Sequence, residues 1–279
     1  MTNGLKNLHL AFIGCGVMGE SMLAGLVVNG IVDAANISAS HPREERRADL
    51  AAKYGVNTFE SNAEAAGALA GHENSAVVLC VKPQRLKKVL ADLDGVIHVE
   101  QLVVSIVAGA TISHLAQELG TAKVVRAMPN TPSQIGAGIT AWTCTEAVGG
   151  IERGHVREML TALGKELFVE TENMIDMATS LSATGPTYIF MVMEALTDAG
   201  VHMGFSRDMA KELVQETMLG SVRFAMASHK HPAELRNMVT SPGGTSAEAI
   251  YQMEKGSLRT VLSKAVYSAY KRAVELGHK

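Results

Sequence analysis

The sequence is short of cysteine, of aromatic residues and of positive charge, and each shortage excludes a class of protein. Cys15, Cys80 and Cys144 are odd in number and far apart, which argues against a disulfide framework and against a Cys-x-x-Cys metal site. The net charge of −3 provides no basic surface for nucleic acid or an anionic membrane. No apolar run approaches the ~20 residues of a membrane span, and no signal peptide is recognised. We therefore expect a cytoplasmic protein that binds neither nucleic acid nor membrane.

Hydrophobic residues are plentiful although aromatic ones are not. They make up 47% of the 279 residues, against 4% aromatic and 19% charged residues. This composition is typical of a globular protein with a large core, and the length suits one large or two ordinary domains.

A glycine motif follows the first apolar run. Residues 8–13 predict a buried strand, the apolar spacing after residue 17 predicts a helix, and Gly14, Gly16 and Gly19 between them form G-x-G-x-x-G. We expect Gly14 to make the tight turn, Gly16 to leave room for a pyrophosphate, and Gly19 to let helix and strand pack closely. A glycine-rich turn without a ligand is the alternative, but placement between strand and helix favours a dinucleotide site.

The acidic residue that usually follows the second strand in NAD-binding proteins is missing. Residues 36–39 predict that strand, and residues 38–41 read Ser-Ala-Ser-His, with Arg43, Arg46 and Arg47 close behind. Hydroxyls, an imidazole and cations suit a 2′-phosphate, and there is no carboxylate to repel it. The sequence therefore predicts NADP as cofactor, with NADPH preferred and NADH as a second donor.

Three more apolar runs, residues 75–81, 102–107 and 123–128, predict central parallel strands. Because ligands bind outside the carboxyl ends of such strands, we expect the residues after these runs to share the crevice of the glycine motif. An edge strand at 138–142, a helix at 151–163 and a strand at 167–169 complete an α/β domain. The alternation predicts a doubly wound Rossmann-type parallel sheet.

From residue 174 onward strand signals vanish. Helical patterns cover residues 175–184, 186–203, 206–228, 232–239, 245–254 and 257–276. We expect a Rossmann domain over residues 1–170 and an all-α domain over 171–279. Residues 186–200 are apolar nearly all round, which favours burial by more than one neighbour and hence an obligate dimer.

A second glycine-rich segment precedes one of these helices. Gly243 and Gly244 offer bare N–H groups that suit an anion such as a carboxylate. Residues 245–248, Thr-Ser-Ala-Glu, also match a capping box in which Thr245 is the N-cap. A cap does not need Pro-Gly-Gly before it, so the pattern favours a substrate site in addition to a cap.

Several motifs, in order along the chain, resemble the pyrroline-5-carboxylate reductase family. They are FIGCGVMG at 12–19, VKP at 81–83, SIVAG at 105–109, RAMPNTP at 126–132, ATGPTYIF at 183–190 and HPAELRNMVTSPGGTSAEAI at 231–250. The resemblance implies NAD(P)H-dependent reduction of a cyclic imino acid, 1-pyrroline-5-carboxylate, to L-proline, the last step of proline biosynthesis. It also implies interlocked homodimers through the helical domain, often assembled into decamers.

The resemblance gives a role to each residue at a matching position. The pyrophosphate would be held by Gly14, Cys15, Gly16, Val17, Met18 and Gly19. The adenosine ribose and its phosphate would contact Ser40, His41 and Asn62, although Asn62 alone reads first as part of a helix cap. Around the nicotinamide would lie Val81, Lys82, Pro83, Ala108 and Gly109. Substrate would contact Met128, Asn130, Ser241, Gly243, Gly244, Thr245 and Ser246, with its carboxylate on the loop's N–H groups.

Ser246 is the implied catalytic residue, which would give the imine nitrogen a proton or hydrogen bond, directly or through water. The family usually has Thr here, so this chain keeps the hydroxyl without the methyl that fixes its rotamer. The segment 183–188 departs too, with Ala-Thr-Gly-Pro-Thr-Tyr in place of Ser-Gly-x-Pro-Ala-Tyr.

Two alternatives stay open at this point. The glycine motif also resembles β-hydroxyacid dehydrogenases, but their lysine is missing from residues 186–200 and Lys211 comes too late. A non-catalytic NADP(H)-binding regulator would keep the fold without turnover. His229 and His231 lack a third ligand, so no metal site is predicted.

Overall fold

The computed structural model describes residues 5–277, and an eight-stranded sheet forms its N-terminal part. The strands are β1 (His9–Ile13), β2 (Ile37–Ser40), β3 (Asn57–Phe59), β4 (Ser75–Leu79), β5 (Leu102–Ser105), β6 (Val124–Met128), β7 (Gly138–Cys144) and β8 (Gly164–Phe168). Their order in the sheet is β3-β2-β1-β4-β5-β6-β7-β8. Neighbouring strands are parallel except β6 and β7.

Twelve α-helices lie within residues 5–277. They are α1 (Val17–Val28), α2 (Glu44–Tyr54), α3 (Asn62–Gly67), α4 (Leu86–Asp92), α5 (Ile112–Leu119), α6 (Gly150–Thr161), α7 (Asn173–Ala178), α8 (Gly185–His202), α9 (Arg207–Ser228), α10 (Pro232–Met238), α11 (Thr245–Lys255) and α12 (Leu258–Gly277). The predicted α/β sheet followed by helices is confirmed.

The core fills both faces of the sheet, as the continuous apolar runs predicted. Leu10 and Phe12 of β1 belong to one buried cluster, while Ala11 and Ile13 between them belong to another. This alternation follows from the period of two along a strand.

Three local predictions need correction. The strand at 138–142 is not the edge, because β8 pairs with β7 from outside. The strand β3 was not predicted, since it has three residues and no apolar run. The helix predicted over 175–184 ends as α-helix at Ala178 and continues as a π-helical turn over Thr179–Ala183.

The chain divides into two compact units. The sheet unit comprises Met1–Thr184 together with Ala269–Lys279, and the helical unit comprises Gly185–Ser268. The last helix, α12, begins in the helical unit and ends in the sheet unit. The sheet unit is therefore formed by two separate segments of the chain. A domain boundary near residue 170 stays a prediction that marks where strand signals end. No helix within residues 5–277 is both long and apolar enough to cross a membrane.

Candidate active site

The glycine motif forms the turn between β1 and α1 that its spacing predicts. Gly14 has a φ of +77°, and a Cβ there would lie 2.1 Å from Cγ1 of Val81. A Cβ on Gly19 would lie 2.6 Å from the Cys80 sulfur, so α1 packs too closely for a side chain. A Cβ on Gly16 would have no neighbour nearer than 3.8 Å. Gly16 therefore borders open space that a pyrophosphate could fill.

Helix α1 begins at this loop without a side-chain cap. Its N-cap is Gly16, which has extended backbone and no side chain to accept a hydrogen bond. The N–H groups of a first turn have no acceptor inside their own helix, and they lie at the positive end of the helix dipole. The loop thus fits a pyrophosphate through backbone groups alone.

Ser40 lies beneath the glycine loop. Its side chain is fully buried, and its Oγ accepts a 3.0 Å hydrogen bond from the Gly14 N–H. The Ser40 hydroxyl donates to Oδ1 of Asn62 at 2.7 Å, and its carbonyl accepts from the Cys15 N–H at 2.8 Å. Because this hydroxyl is buried and already used, direct contact with the cofactor's ribose does not fit Ser40, which fixes the loop instead.

Asn62 is not the N-cap of α3. Ser61 holds that position and accepts a hydrogen bond from the Glu64 N–H, while Asn62 is the first helical residue. Asn62 donates to Oδ2 of Asp92 at 2.9 Å and lines a cavity of about 530 Å³ with Gly14. This geometry agrees with a place beside the adenosine half of a dinucleotide.

A second cavity, of about 520 Å³, shares Gly14, Pro42, Val81 and Arg85 with the first. It collects most of the residues implied for the cofactor. These are Gly14, Gly16, Val17, Met18, His41, Val81, Lys82, Pro83 and Ala108, and Met128, implied for the substrate, lines the same cavity. The carboxyl ends of β1, β4, β5 and β6 thus meet at one crevice, as predicted.

Cys15 and Gly109 lie away from this crevice. Cys15 is fully buried, and burial raises the pKa of its thiol to about 12, so the thiol is a neutral packing group. Gly109 has a φ of +76°, and a Cβ there would lie 2.7 Å from Cβ of Leu276 at the end of α12. The need for glycine at 109 thus comes from packing within the sheet unit.

Two of the three arginines after β2 are already engaged. Arg46 pairs with Glu20 and, at 3.0 Å, with Asp49. Arg47 pairs with Glu60 at 3.2 Å and donates to the carbonyls of His41 and Pro42. These cations are therefore less available to a 2′-phosphate than the sequence indicated.

Arg43 and His41 remain at the end of β2. The Arg43 guanidinium has no hydrogen-bond or ion-pair partner within residues 5–277. The Arg43 N–H donates to Nδ1 of His41 at 3.2 Å, which leaves Nε2 as the proton-bearing nitrogen of the neutral ring. Burial, with Arg43 next, lowers the pKa of His41, so the imidazole is neutral at pH 7.

Arg126 forms a buried ionic junction that sequence reasoning missed. Its side chain on β6 is 1% exposed and bonds to Glu172 at 2.9 Å and Asp176 at 2.6 Å. The same Glu172 oxygen accepts a 2.8 Å hydrogen bond from the Ile112 N–H at the start of α5. One carboxylate thus joins β6 to the helix that follows residues 108–111. The available signal was a lone arginine inside an apolar strand.

Met128 and Asn130 follow on the same strand end. Met128 lines the 520 Å³ cavity, whereas Oδ1 of Asn130 accepts a 3.0 Å hydrogen bond from the Ile139 N–H. That contact fixes the start of β7, and it leaves the Nδ2 end of the Asn130 amide as the part that could meet a substrate.

In the helical unit, residues 241–244 form a tight turn before α11. The Gly244 N–H donates to the Ser241 carbonyl at 3.0 Å, and Gly243 has a φ of +70°, as in a type II turn with Pro242 second. A Cβ on Gly244 would meet Oγ of Ser241, so a larger residue there would have to displace the Ser241 hydroxyl.

The predicted capping box at Thr245 is wrong. The N-cap of α11 is Gly244, which makes no side-chain cap bond, and Thr245 is the first helical residue. Glu248 is then one residue too far along to reach back, and it accepts from Gln252 at 2.9 Å instead. The side chains of Thr245 and Ser246 are therefore not used to cap the helix, and the first-turn N–H groups suit an anion.

The sheet, the glycine loop and the crevice define a Rossmann-type NADP oxidoreductase. Residues 9–109 match the family model described as NADP oxidoreductase coenzyme F420-dependent. Residues 172–276 match the model described as pyrroline-5-carboxylate reductase dimerisation. The chain belongs to the pyrroline-5-carboxylate reductase family, and it contains that family's dimerisation domain.

Relatives and solved structures of this family match the chain over nearly its whole length. The pyrroline-5-carboxylate reductase of Pseudomonas aeruginosa is 39% identical over 96% of this chain and 96% of its own length. That of Arabidopsis thaliana is 35% identical over 97% and 96%. The Coxiella burnetii enzyme structure matches with a TM-score of 0.85 at 35% identity, covering 96% of this chain and 98% of its own. A Plasmodium falciparum structure with NADP bound matches with a TM-score of 0.88 at 29% identity, covering 98% and 99%.

Proposed function

We propose that this protein reduces 1-pyrroline-5-carboxylate to L-proline with NADPH, the last step of proline biosynthesis. The observation that carries the proposal is the combination, in one chain of this family, of the open glycine loop at Gly16 and the uncapped start of α11 at Gly244. The first suits a pyrophosphate, and the second suits a carboxylate.

The sheet unit holds the cofactor. The pyrophosphate lies on the N–H groups of residues 17–19, while His41, Arg43 and Asn62 face the adenosine phosphate and ribose. Around the nicotinamide lie Val81, Lys82, Pro83, Ala108 and Met128, which line the same cavity as the glycine loop. This assignment leaves out Ser40, Cys15 and Gly109 as direct contacts because each is buried or packed against protein.

The helical unit holds the substrate carboxylate. The N–H groups of Thr245 and Ser246 at the start of α11 donate hydrogen bonds to it, and the turn through Ser241 and Gly243 holds that start in place. When the carboxylate is fixed, the ring of the imino acid can present only one of its faces to the hydride donor. Binding of the carboxylate therefore also orients the substrate.

Hydride transfer leaves the imine nitrogen in need of a proton. Bound NADPH supplies the hydride, which reduces the C=N carbon while the electron pair of the double bond moves to nitrogen. The hydroxyl of Ser246 donates a hydrogen bond to that nitrogen, and the proton reaches it from Ser246 directly or through a water. NADP and proline are the products, and Ser246 regains from water any proton that it gives to the nitrogen.

An NADPH-oxidation assay tests the proposal. Purified protein should consume NADPH with 1-pyrroline-5-carboxylate and release an equal amount of proline. Turnover with 3-hydroxy acids alone would point to a β-hydroxyacid dehydrogenase. Tight NADPH binding without turnover of either substrate would point to a regulator.

The helical unit also supports self-association. Large apolar side chains on α8 and α9, among them Phe190, Met191, Val222 and Phe224, are exposed on the single chain. Such an apolar surface exceeds what a monomer usually leaves open. The protein forms a homodimer through this unit, and the dimers assemble further into decamers. Sedimentation at micromolar concentration should show both species and no stable monomer.

The enzyme acts in the cytoplasm. All three cysteines are free thiols, which suits a reducing compartment where NADPH is the working reductant. Cell fractionation should recover the activity with cytoplasmic markers.

A further inference from the structure

Glu20 places a negative charge in the first turn of α1, the helix whose start is proposed to hold the cofactor's pyrophosphate. Glu20 lies four residues after the N-cap Gly16. A carboxylate at a helix N-terminus is normally favourable, because it complements the helix dipole. Beside a bound pyrophosphate the same carboxylate would repel the ligand that the helix start attracts.

The structure surrounds this carboxylate with cations and donors. Arg46 of α2 forms an ion pair with Oε2 of Glu20, and the Tyr54 hydroxyl donates to Oε1 at 2.9 Å. Lys53 approaches Oε1 at 3.7 Å. The Arg46 and Glu20 side chains are 17% and 19% exposed, so water screens their charges only in part. The hydrogen bonds from Arg46 and Tyr54 lower the pKa of Glu20 although burial opposes them, so the carboxylate stays ionised at pH 7.

We propose that Arg46 supports the pyrophosphate end of the cofactor site by neutralising Glu20, and that it does not bind the 2′-phosphate. Arg46 is thus a positioning residue that acts through Glu20. The inference deepens the proposed NADPH site and rests on it. The sequence alone gave Arg43, Arg46 and Arg47 as joint candidates for the 2′-phosphate. In the structure Arg46 and Arg47 form ion pairs, which distinguishes them from Arg43.

Binding of two nucleotides, measured by calorimetry at one fixed salt concentration, separates the two roles. ADP carries the pyrophosphate alone, and 2′,5′-ADP carries a 2′-phosphate besides a 5′-phosphate; NADPH and NADH form the matching pair with a pyrophosphate in both. In Arg46→Gln, Glu20 keeps Tyr54 and the more distant Lys53 but loses its direct ion pair, which should weaken the binding of NADPH, NADH and ADP about equally, by about tenfold. In Arg43→Gln, the loss should fall on NADPH and 2′,5′-ADP and spare NADH and ADP.

The double variant Glu20→Gln, Arg46→Gln is the decisive control. It removes both charges together, so it should bind NADPH and NADH within about twofold of wild type. It also keeps the test valid if Arg46→Gln alone fails to fold, because no uncompensated charge remains. Glu20→Gln by itself should bind at least as well as wild type.

Three results would overturn the role given to Arg46. One is a loss in Arg46→Gln confined to NADPH and 2′,5′-ADP, which would assign Arg46 to the 2′-phosphate. Another is unchanged binding in folded Arg46→Gln. The third is a double variant that stays about tenfold weak, which would show that Arg46 acts other than through Glu20. Wild-type protein that binds none of the nucleotides would instead overturn the proposed cofactor site itself, whatever the variants do.

Discussion

Helices α1, α6 and α11 each have a glycine as N-cap, and they differ in which groups meet their first turn. Helix α6 has Gly149 as N-cap, and its Glu152 carboxylate accepts a 2.8 Å hydrogen bond from the Gly149 N–H. Helices α1 and α11 have Gly16 and Gly244 as N-caps with no side-chain cap. Each of these two carries its glutamate one residue later.

The one-residue difference decides whether the glutamate side chain can reach back and cap the start of its own helix. A glutamate three residues after the N-cap can reach back to the N–H of the N-cap, as in a capping box. A glutamate four residues after the N-cap is too far along the helix to do so, and its side chain bonds elsewhere. Glu20 turns to α2 and Glu248 turns to Gln252. A glycine N-cap therefore supplies no side-chain cap to the helix. The position of the next glutamate determines whether another side chain takes over that role.

The largest expected effect comes from closing the start of α1. Gly16→Ala puts a methyl into the open space of the glycine loop, and NADPH should bind about a hundredfold more weakly, a loss of about 3 kcal/mol. Calorimetric titration measures this, and the melting temperature should stay within a few degrees of wild type.

Gly14→Ala is the matched control for that loop. Its Cβ meets Val81 and its backbone has positive φ, so the free energy of unfolding should fall by roughly 2–4 kcal/mol. Equal loss of stability in the two variants would contradict the distinct tasks given to the two glycines.

The next effect concerns the start of α11. Ser246→Ala should lower kcat by about a hundredfold because the imine nitrogen loses its donor. The NADPH dissociation constant should change much less than kcat, because Ser246 is proposed to contact the substrate and not the cofactor. Ser246→Thr restores the residue usual in the family and should retain full turnover. Unchanged kcat in Ser246→Ala would reduce Ser246 to a helix-start residue.

A smaller effect is expected at the end of β2. His41→Asp places a carboxylate beside a bound 2′-phosphate and should shift the ratio of NADPH to NADH kcat/KM toward NADH by about tenfold. His41→Asn, which adds no charge, should shift the ratio less. A ratio that does not move in His41→Asp would remove His41 from the 2′-phosphate site.

At α6 the comparison predicts an effect on stability alone. Glu152→Gln weakens the bond to the Gly149 N–H and the 3.1 Å pair with Lys123, and should cost about 1 kcal/mol of unfolding free energy. Glu158→Gln makes the same charge change within α6 and serves as control. Denaturant titration measures both, and an altered KM for either substrate in Glu152→Gln would count against the contrast.

The pH dependence of NADPH binding should be the smallest effect. The pKa of His41 lies below its ordinary value of 6.5 in the free protein, and a bound 2′-phosphate favours the charged imidazole. Binding then takes up a proton, so NADPH affinity should rise as pH falls from 8 toward 6, while NADH affinity should change less. His41→Gln should abolish this difference between the two cofactors.

Much of the fold could be predicted because local patterns determine it. Apolar runs of strand length and a glycine motif at a strand end need no tertiary information, and β1, β4, β5 and β6 fall where these patterns place them. Strand β3 could not be predicted, because its three residues are held by pairing with β2 and not by their own apolar content.

The site was predicted less completely because side-chain partners come from distant elements. The pairing of Arg46 with Glu20, 26 residues away, depends on α1 lying against α2. The acceptor of the Ser40 hydroxyl is Asn62, 22 residues later, and the junction at Arg126 depends on a carboxylate 46 residues later. Motif spacing gives the residues near a ligand, whereas only packing shows which of them are free to touch it.

The contact between Gly109 and Leu276 has a consequence for how this protein could be divided. The end of α12 completes the loop after β5, although the intervening residues Gly185–Ser268 belong to the other unit. The nucleotide-binding unit is therefore formed by two separate segments of the sequence. A protein truncated after Thr184 would lack the second of them. A nucleotide-binding unit expressed alone would need residues 5–184 joined through a linker to residues 269–277. Such a fusion would contain both segments of this compact unit in one chain.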